Sequence, residues 1–175
     1  AFSFTKASDF KFSLYEGIIK AGPLSDRGFV SPIAPTSMLY YTYKLIGAFN
    51  ENGQQVNKIE VKPIKESDPA FSGFIYITDS TWRVHSVDVF TTKKNGLKLV
   101  DTLKVNQVHA PVTKDIWMPL SAKFSFVFNF MAVEGKGEFV QVNSNYVINP
   151  EFGKKYFTNE VMKIEDNANK KDTAY

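Results

Sequence analysis

Phenylalanine stands at positions 124, 126, 128 and 130, with Ser125, Val127 and Asn129 between them. A period of two puts alternate side chains on opposite faces of an extended chain, so this stretch reads as a β-strand with four benzyl groups on one side. Such a face must be covered, either by the protein's own core or by an apolar partner. That one requirement restricts the fold more than anything else in the 175 residues.

The rest of the chain repeats the pattern. Phe10 to Ile18 alternates, and a tyrosine-rich strand is expected from Met38 to Phe49, carrying Tyr40, Tyr41 and Tyr43. Asn52-Gly53 then signals a tight turn, because both residues tolerate positive φ. Lys58 to Pro63 reads as half-buried, with Ile59 and Val61 facing one way and Lys58, Glu60 and Lys62 the other. Further strands are expected at Phe74 to Thr78, Trp82 to Thr92 and Thr102 to Val108, with Asn95-Gly96 turning between the last two. Gly135-Lys136-Gly137 reads as the turn after the phenylalanine strand, and Glu138 to Ile148 as its return. An apolar stretch follows at Tyr156 to Ile164. Strands joined by short turns form antiparallel meanders, and long twisted strands curl. The fold expected is therefore all-β: a strongly curved antiparallel sheet or partial, unclosed β-barrel with little helix. One domain is expected over 1–165, with 166–175 as a polar tail or linker.

Sixteen Phe and eight Tyr fit this class, since aromatic residues favour strands and bury large areas. The formal charge of +3, from 21 basic and 18 acidic residues spread along the chain, forms no nucleic-acid footprint. Only Arg27 and Arg83 could give bidentate phosphate contacts. Cysteine is absent, which removes disulfides and thiolate chemistry. The start at Ala1 reads as a processed or excised piece of something longer.

Chemistry-bearing motifs are thin. His85 and His109 have no second ligand at metal spacing, and no nucleophile elbow or phosphate-binding glycine loop occurs. The acids Asp68, Asp79, Asp88, Asp101 and Asp115 mostly fall at expected turns, where aspartate is favoured locally. No catalytic residue, metal ligand or cofactor is assigned. The candidate binding residues are the aromatic ones: Tyr41, Tyr43, Phe124, Phe126, Phe128 and Phe130.

Several stretches together resemble a family of unknown function found in outer-membrane proteins of Bacteroidetes-type bacteria. They are Phe29-Val30-Ser31-Pro32-Ile33-Ala34, Tyr41-Thr42-Tyr43-Lys44-Leu45 with Gly47, and Phe71-Ser72-Gly73-Phe74-Ile75-Tyr76-Ile77. Asp79, Trp82, Val84-His85-Ser86-Val87-Asp88, Gln107, Trp117-Met118-Pro119 and Asn145-Tyr146-Val147-Ile148-Asn149-Pro150 continue the likeness. The resemblance implies a periplasmic middle domain between a carboxypeptidase-regulatory-like sandwich and a C-terminal outer-membrane barrel. Ile59-Glu60-Val61-Lys62-Pro63, the Phe-x-Gly-x-Ile-x-Ile run and the Trp-containing return strand also look like LolA-type lipoprotein carriers. Those are unclosed barrels with a hydrophobic concave face. Neither likeness carries a catalytic residue.

The function expected is non-enzymatic binding of a lipid, a lipoprotein or another apolar or extended partner on a concave aromatic face. Other domains of the parent protein are expected partners, and nucleic acid is not. A structural spacer or protein-docking module without a small-molecule ligand is the alternative. An enzyme acting on envelope glycans, and strands belonging to a transmembrane barrel, are the remaining readings.

Overall fold

Each apolar alternation needs an opposite surface, and the chain supplies most of it from its own N-terminal third. A computed structural model describes residues 12–130 and 133–152. Two short strands, β1 (Ile18–Ile19) and β2 (Phe29–Val30), pair with each other in a sheet of their own. Seven strands then follow as an antiparallel meander in chain order: β3 (Tyr41–Glu51), β4 (Gln54–Pro63), β5 (Ser72–Thr78), β6 (Val84–Thr92), β7 (Thr102–Pro111), β8 (Trp117–Phe130) and β9 (Val133–Val142). The sheet does not close into a barrel, and the described residues contain no α-helix. Three single turns of 3-10 helix, at Gly22–Leu24, Ser37–Leu39 and Lys93–Asn95, are the only helical pieces among them.

One face of this sheet is apolar. Tyr43 pairs with Val61, Ile59 with Ile75, Val89 with Val105, Val105 with Phe124, and Phe124 with Phe139. Cross-strand partners share a face, so these side chains form one continuous surface. The N-terminal segment lies on it: Phe12, Leu14, Ile19, Leu24 and Phe29 belong to the same buried cluster as Val61, Val89, Val105 and Phe124. Polar ties hold the segment down. Val30 N–H donates to the Pro69 carbonyl (2.7 Å), Lys98 N–H to the Leu24 carbonyl (2.8 Å), and Ser31 Oγ–H to the Leu14 carbonyl. Tyr41 Oη–H donates to the Val30 carbonyl (2.5 Å) and the same oxygen accepts from Phe71 N–H (2.9 Å). Burial raises the Tyr41 hydroxyl's pKa well above the ordinary phenol value, and burial raises that of Tyr43 too.

The other face is polar and laced with ion pairs: Lys104 with Asp88 (3.0 Å), Lys123 with Glu138 (2.9 Å) and Lys62 with Glu60 (2.9 Å). The Lys58/Glu60/Lys62 alternation therefore falls as expected, with Val61 buried opposite. Between the faces Gly73 sits at φ +133°, where an added Cβ would meet the Asp88 carbonyl oxygen at 2.3 Å. Only glycine lets β5 and β6 approach this closely.

Five expectations need correction. The tyrosine-rich strand expected from Met38 begins only at Tyr41, because Ser37–Leu39 forms a single 3-10 turn. Phe12 and Leu14 are buried, but residues 12–17 run as loop and turn, and β1 begins only at Ile18. Alternation reported which side chains face inward, and a turn can do that as well as a ladder; Phe10 and Lys11 lie outside the described residues. Gly135-Lys136-Gly137 is no turn but part of β9, where Gly137 pairs with Phe126 and Gly135 with Phe128. The phenyl ring of Phe128 fills the space a Gly135 Cβ would need (2.1 Å from Cζ), so glycine answers an aromatic neighbour across the ladder. The strand expected to reach Ile148 stops at Val142. Past it the backbone leaves the ladder, and Asn145 adopts positive φ. Trp82, expected inside a strand, stands in the turn before β6 at φ +55°.

The chain separates at Ser144 into two units. Of the second, residues 145–152 are described and carry no strand, with Asn149 also at positive φ. The apolar stretch expected at Tyr156 to Ile164 and the tail expected at 166–175 lie outside the described residues.

Candidate functional site

The aromatic residues singled out in the sequence do not form one surface. Phe124 is 1% exposed and Phe126 8%. The Phe124 ring stacks on Phe139 at 4.6 Å between centroids and meets Phe12 edge-on at 6.2 Å. These rings are roofed by the protein's own N-terminal segment. Phe128 is 41% exposed, lying over Gly135. The side chain of Phe130 lies outside what the structure describes. Tyr41 is buried beneath Val30 and Phe71, and Tyr43 is half-buried, donating to the Pro32 carbonyl at 2.8 Å. Tyr41 and Tyr43 lie 6.1 Å apart, centroid to centroid. Both act as struts joining β3 to the covering segment.

Two other surfaces remain open. The first is the edge of the sheet. β3 and β9 are its outer strands, and β3 runs eleven residues with no described strand on its outer side. Leu45 is 64% exposed there, and Ile46 and Phe49 are exposed beside it. A bulge between Leu45 and Gly47 interrupts the register with β4.

The second is a groove of about 790 Å³ on the polar face, over β5 and β6. Phe74 and Phe90 lie in its floor, and Phe90 is 41% exposed. The Lys58 ammonium sits 4.1 Å from the centre of the Phe74 ring. Acid–base pairs line the rim: Lys93 with Asp101 (2.5 Å), Lys94 with Glu66 (3.1 Å), and Lys62 with Glu60. Lys93 and two bonds from Asn129 hold the Asp101 carboxyl below the usual carboxylate range. Nothing in the sequence pattern marked this groove. Phe74 and Phe90 sit on the face that alternation assigns to solvent, and only the strand register brings them together.

Of the two histidines, His85 reaches the β3 edge, where its ring meets Phe49 edge-on at 6.3 Å. His85 Nε2 lies 3.5 Å from Glu51 Oε2. His109 is 5% exposed, with Nδ1 unpartnered among the described residues, and its ring meets Tyr15 edge-on. Burial and the neighbouring His85 pull its pKa down to about 4. Among the described residues no three His, Asp or Glu side chains gather for a metal ion.

These features define the class: an all-β domain built on an open antiparallel meander, with the middle of one face covered by its own N-terminal segment and the other carrying a charged groove. The profile described as "Family of unknown function (DUF5686)" matches residues 1–146, and the chain belongs to that family. No curated protein and no solved structure matches it.

Proposed function

We propose that the chain is a non-enzymatic docking domain of a larger outer-membrane-associated protein of Bacteroidetes-type bacteria. In this reading it sits in the periplasm and holds an extended partner, a strand of a neighbouring protein or lipoprotein, along β3. One observation carries the reading: an eleven-residue strand ends the sheet with no described strand on its outer side, and with Leu45, Ile46 and Phe49 exposed upon it. Free sheet edges that natural proteins leave alone are usually short, charged or bulged away. β3 has the bulge, yet it remains long and apolar. An added strand would satisfy its backbone groups and bury those side chains together. The interior position of Phe124 and Phe126 favours this over an acyl chain on the phenylalanine face, because their rings already touch Phe12 and Phe139.

The test is a photo-crosslinking amino acid placed at Lys44 or Ala48 on β3, and at Lys136 on β9, in the full-length protein in cells. A discrete protein adduct from the β3 positions, abolished by Ile46→Pro, is the expected result. Adducts of equal yield from both edges, or none from β3, refute it. Fatty-acyl adducts in place of peptide would instead assign the partner to lipid.

A further inference from the structure

We propose that the groove over β5 and β6 is a binding site for a neutral oligosaccharide. Its size, about 790 Å³, falls among the clefts that take small ligands. Its floor stands on central strands, where β5 pairs with β4 and β6, and β6 with β5 and β7. Their backbone groups are spent in the ladder, so an extended peptide finds no edge to join here, and recognition must run through side chains. Phe90 offers an exposed aromatic ring to the groove, between Ser72 on one side and Lys104 on the other. An aromatic ring carries negative potential on its face, which suits the weakly positive C–H face of a pyranose.

The rim decides the charge of the ligand. Lys62, Lys93 and Lys94 are each neutralised by an acid within 3.1 Å. Each of these ammonium groups already has a carboxylate partner, so an entering anion or cation would compete with it. A hydroxyl both donates and accepts, so vicinal hydroxyls can bridge a carboxylate and an ammonium without separating them. The rim is also fixed in advance. The buried Asn95 amide donates to the Glu66 carbonyl (3.0 Å) and the Asp68 carbonyl (3.1 Å), while its oxygen accepts from Thr92 N–H (3.2 Å). That clamp ties the loop after β4 to the turn after β6, so binding need not first order these segments.

The experiment applies the full chain to an array of neutral, sulfated and uronic-acid oligosaccharides and titrates the hits by calorimetry. Neutral glycans should bind, and raising salt from about 0.05 to about 0.5 M should change the affinity by less than about twofold. Phe90→Ala should weaken binding by about tenfold or more with an unchanged melting temperature. Phe90→Leu, which keeps apolar bulk without a flat face, should also weaken it and serves if the alanine variant does not fold. An array without neutral hits, binding confined to anionic glycans and abolished by salt, or Phe90 variants that bind like the parent would each overturn the proposal.

Discussion

Acid should destabilise this domain through His109 at a pH where ordinary carboxylates are only beginning to protonate. The imidazole is buried on β7 under Tyr15, and burial, with His85 of β6 adding to it, pulls its pKa down to about 4. In the unfolded chain it returns to about 6.5. Between those values the unfolded state binds the proton and the folded state does not. Stability is therefore full above about pH 6.5 and declines as pH falls toward 4. Carried from pH 7 to pH 4, linkage gives a loss of about 3 kcal/mol, which in a domain of this size lowers the melting temperature by about 6–12 °C. Surface carboxylates add their own acid sensitivity; Asp101 and Glu138, both held low by lysines, lose those pairs at lower pH. The His109 part is isolated by comparison with His109→Leu. Urea unfolding followed by tryptophan fluorescence, at pH 7 and pH 4, should show the parent losing about 3 kcal/mol more than the variant. Equal acid losses in both proteins, or an NMR titration placing the His109 ring near 6.5, would refute the reasoning.

The remaining predictions concern packing. Phe124→Ala should cost about 3–5 kcal/mol, because its ring is enclosed by Phe12 and Phe139, whereas Phe128→Ala should cost far less; comparable losses in chemical denaturation would contradict the division of the stripe. Tyr41→Phe should cost about 2–4 kcal/mol, since it leaves the Val30 carbonyl and Phe71 N–H without their shared hydroxyl; a change below about 0.5 kcal/mol would mean the strut is not made. Gly73→Ala should cost about 3 kcal/mol or more, because a Cβ would collide with the Asp88 carbonyl at a φ few side chains adopt; a melting curve matching the parent's would show that β5 and β6 can part without penalty.

Much of the sheet was legible in the residue order. Val61 and Ile59 against Lys58, Glu60 and Lys62 gave the two faces of β4, and Asn52-Gly53 and Asn95-Gly96 marked turns that exist. In each case the signal is local: a period of two, or a residue that tolerates positive φ. The reading failed where a local cue had two physical meanings. Glycines at 135 and 137 serve equally for turning and for admitting a ring across a ladder, and only the pairing with Phe126 and Phe128 chose between them. Alternation at Phe12 and Leu14 marked burial without a strand.

The candidate site was less legible for the same reason. The phenylalanine stripe announced a face in need of cover but not what covers it. That answer came from residues about a hundred positions earlier in the chain, Phe12 above all, meeting Phe124 through the fold. Phe74 and Phe90, each unremarkable on a solvent-facing position, became the floor of a groove through strand register. The sequence by itself determined the strand periodicity, the all-β class and the polarity of each face, because these depend on neighbours along the chain. Tertiary structure alone decided which aromatic rings are core and which stay open, because burial depends on what arrives from far away.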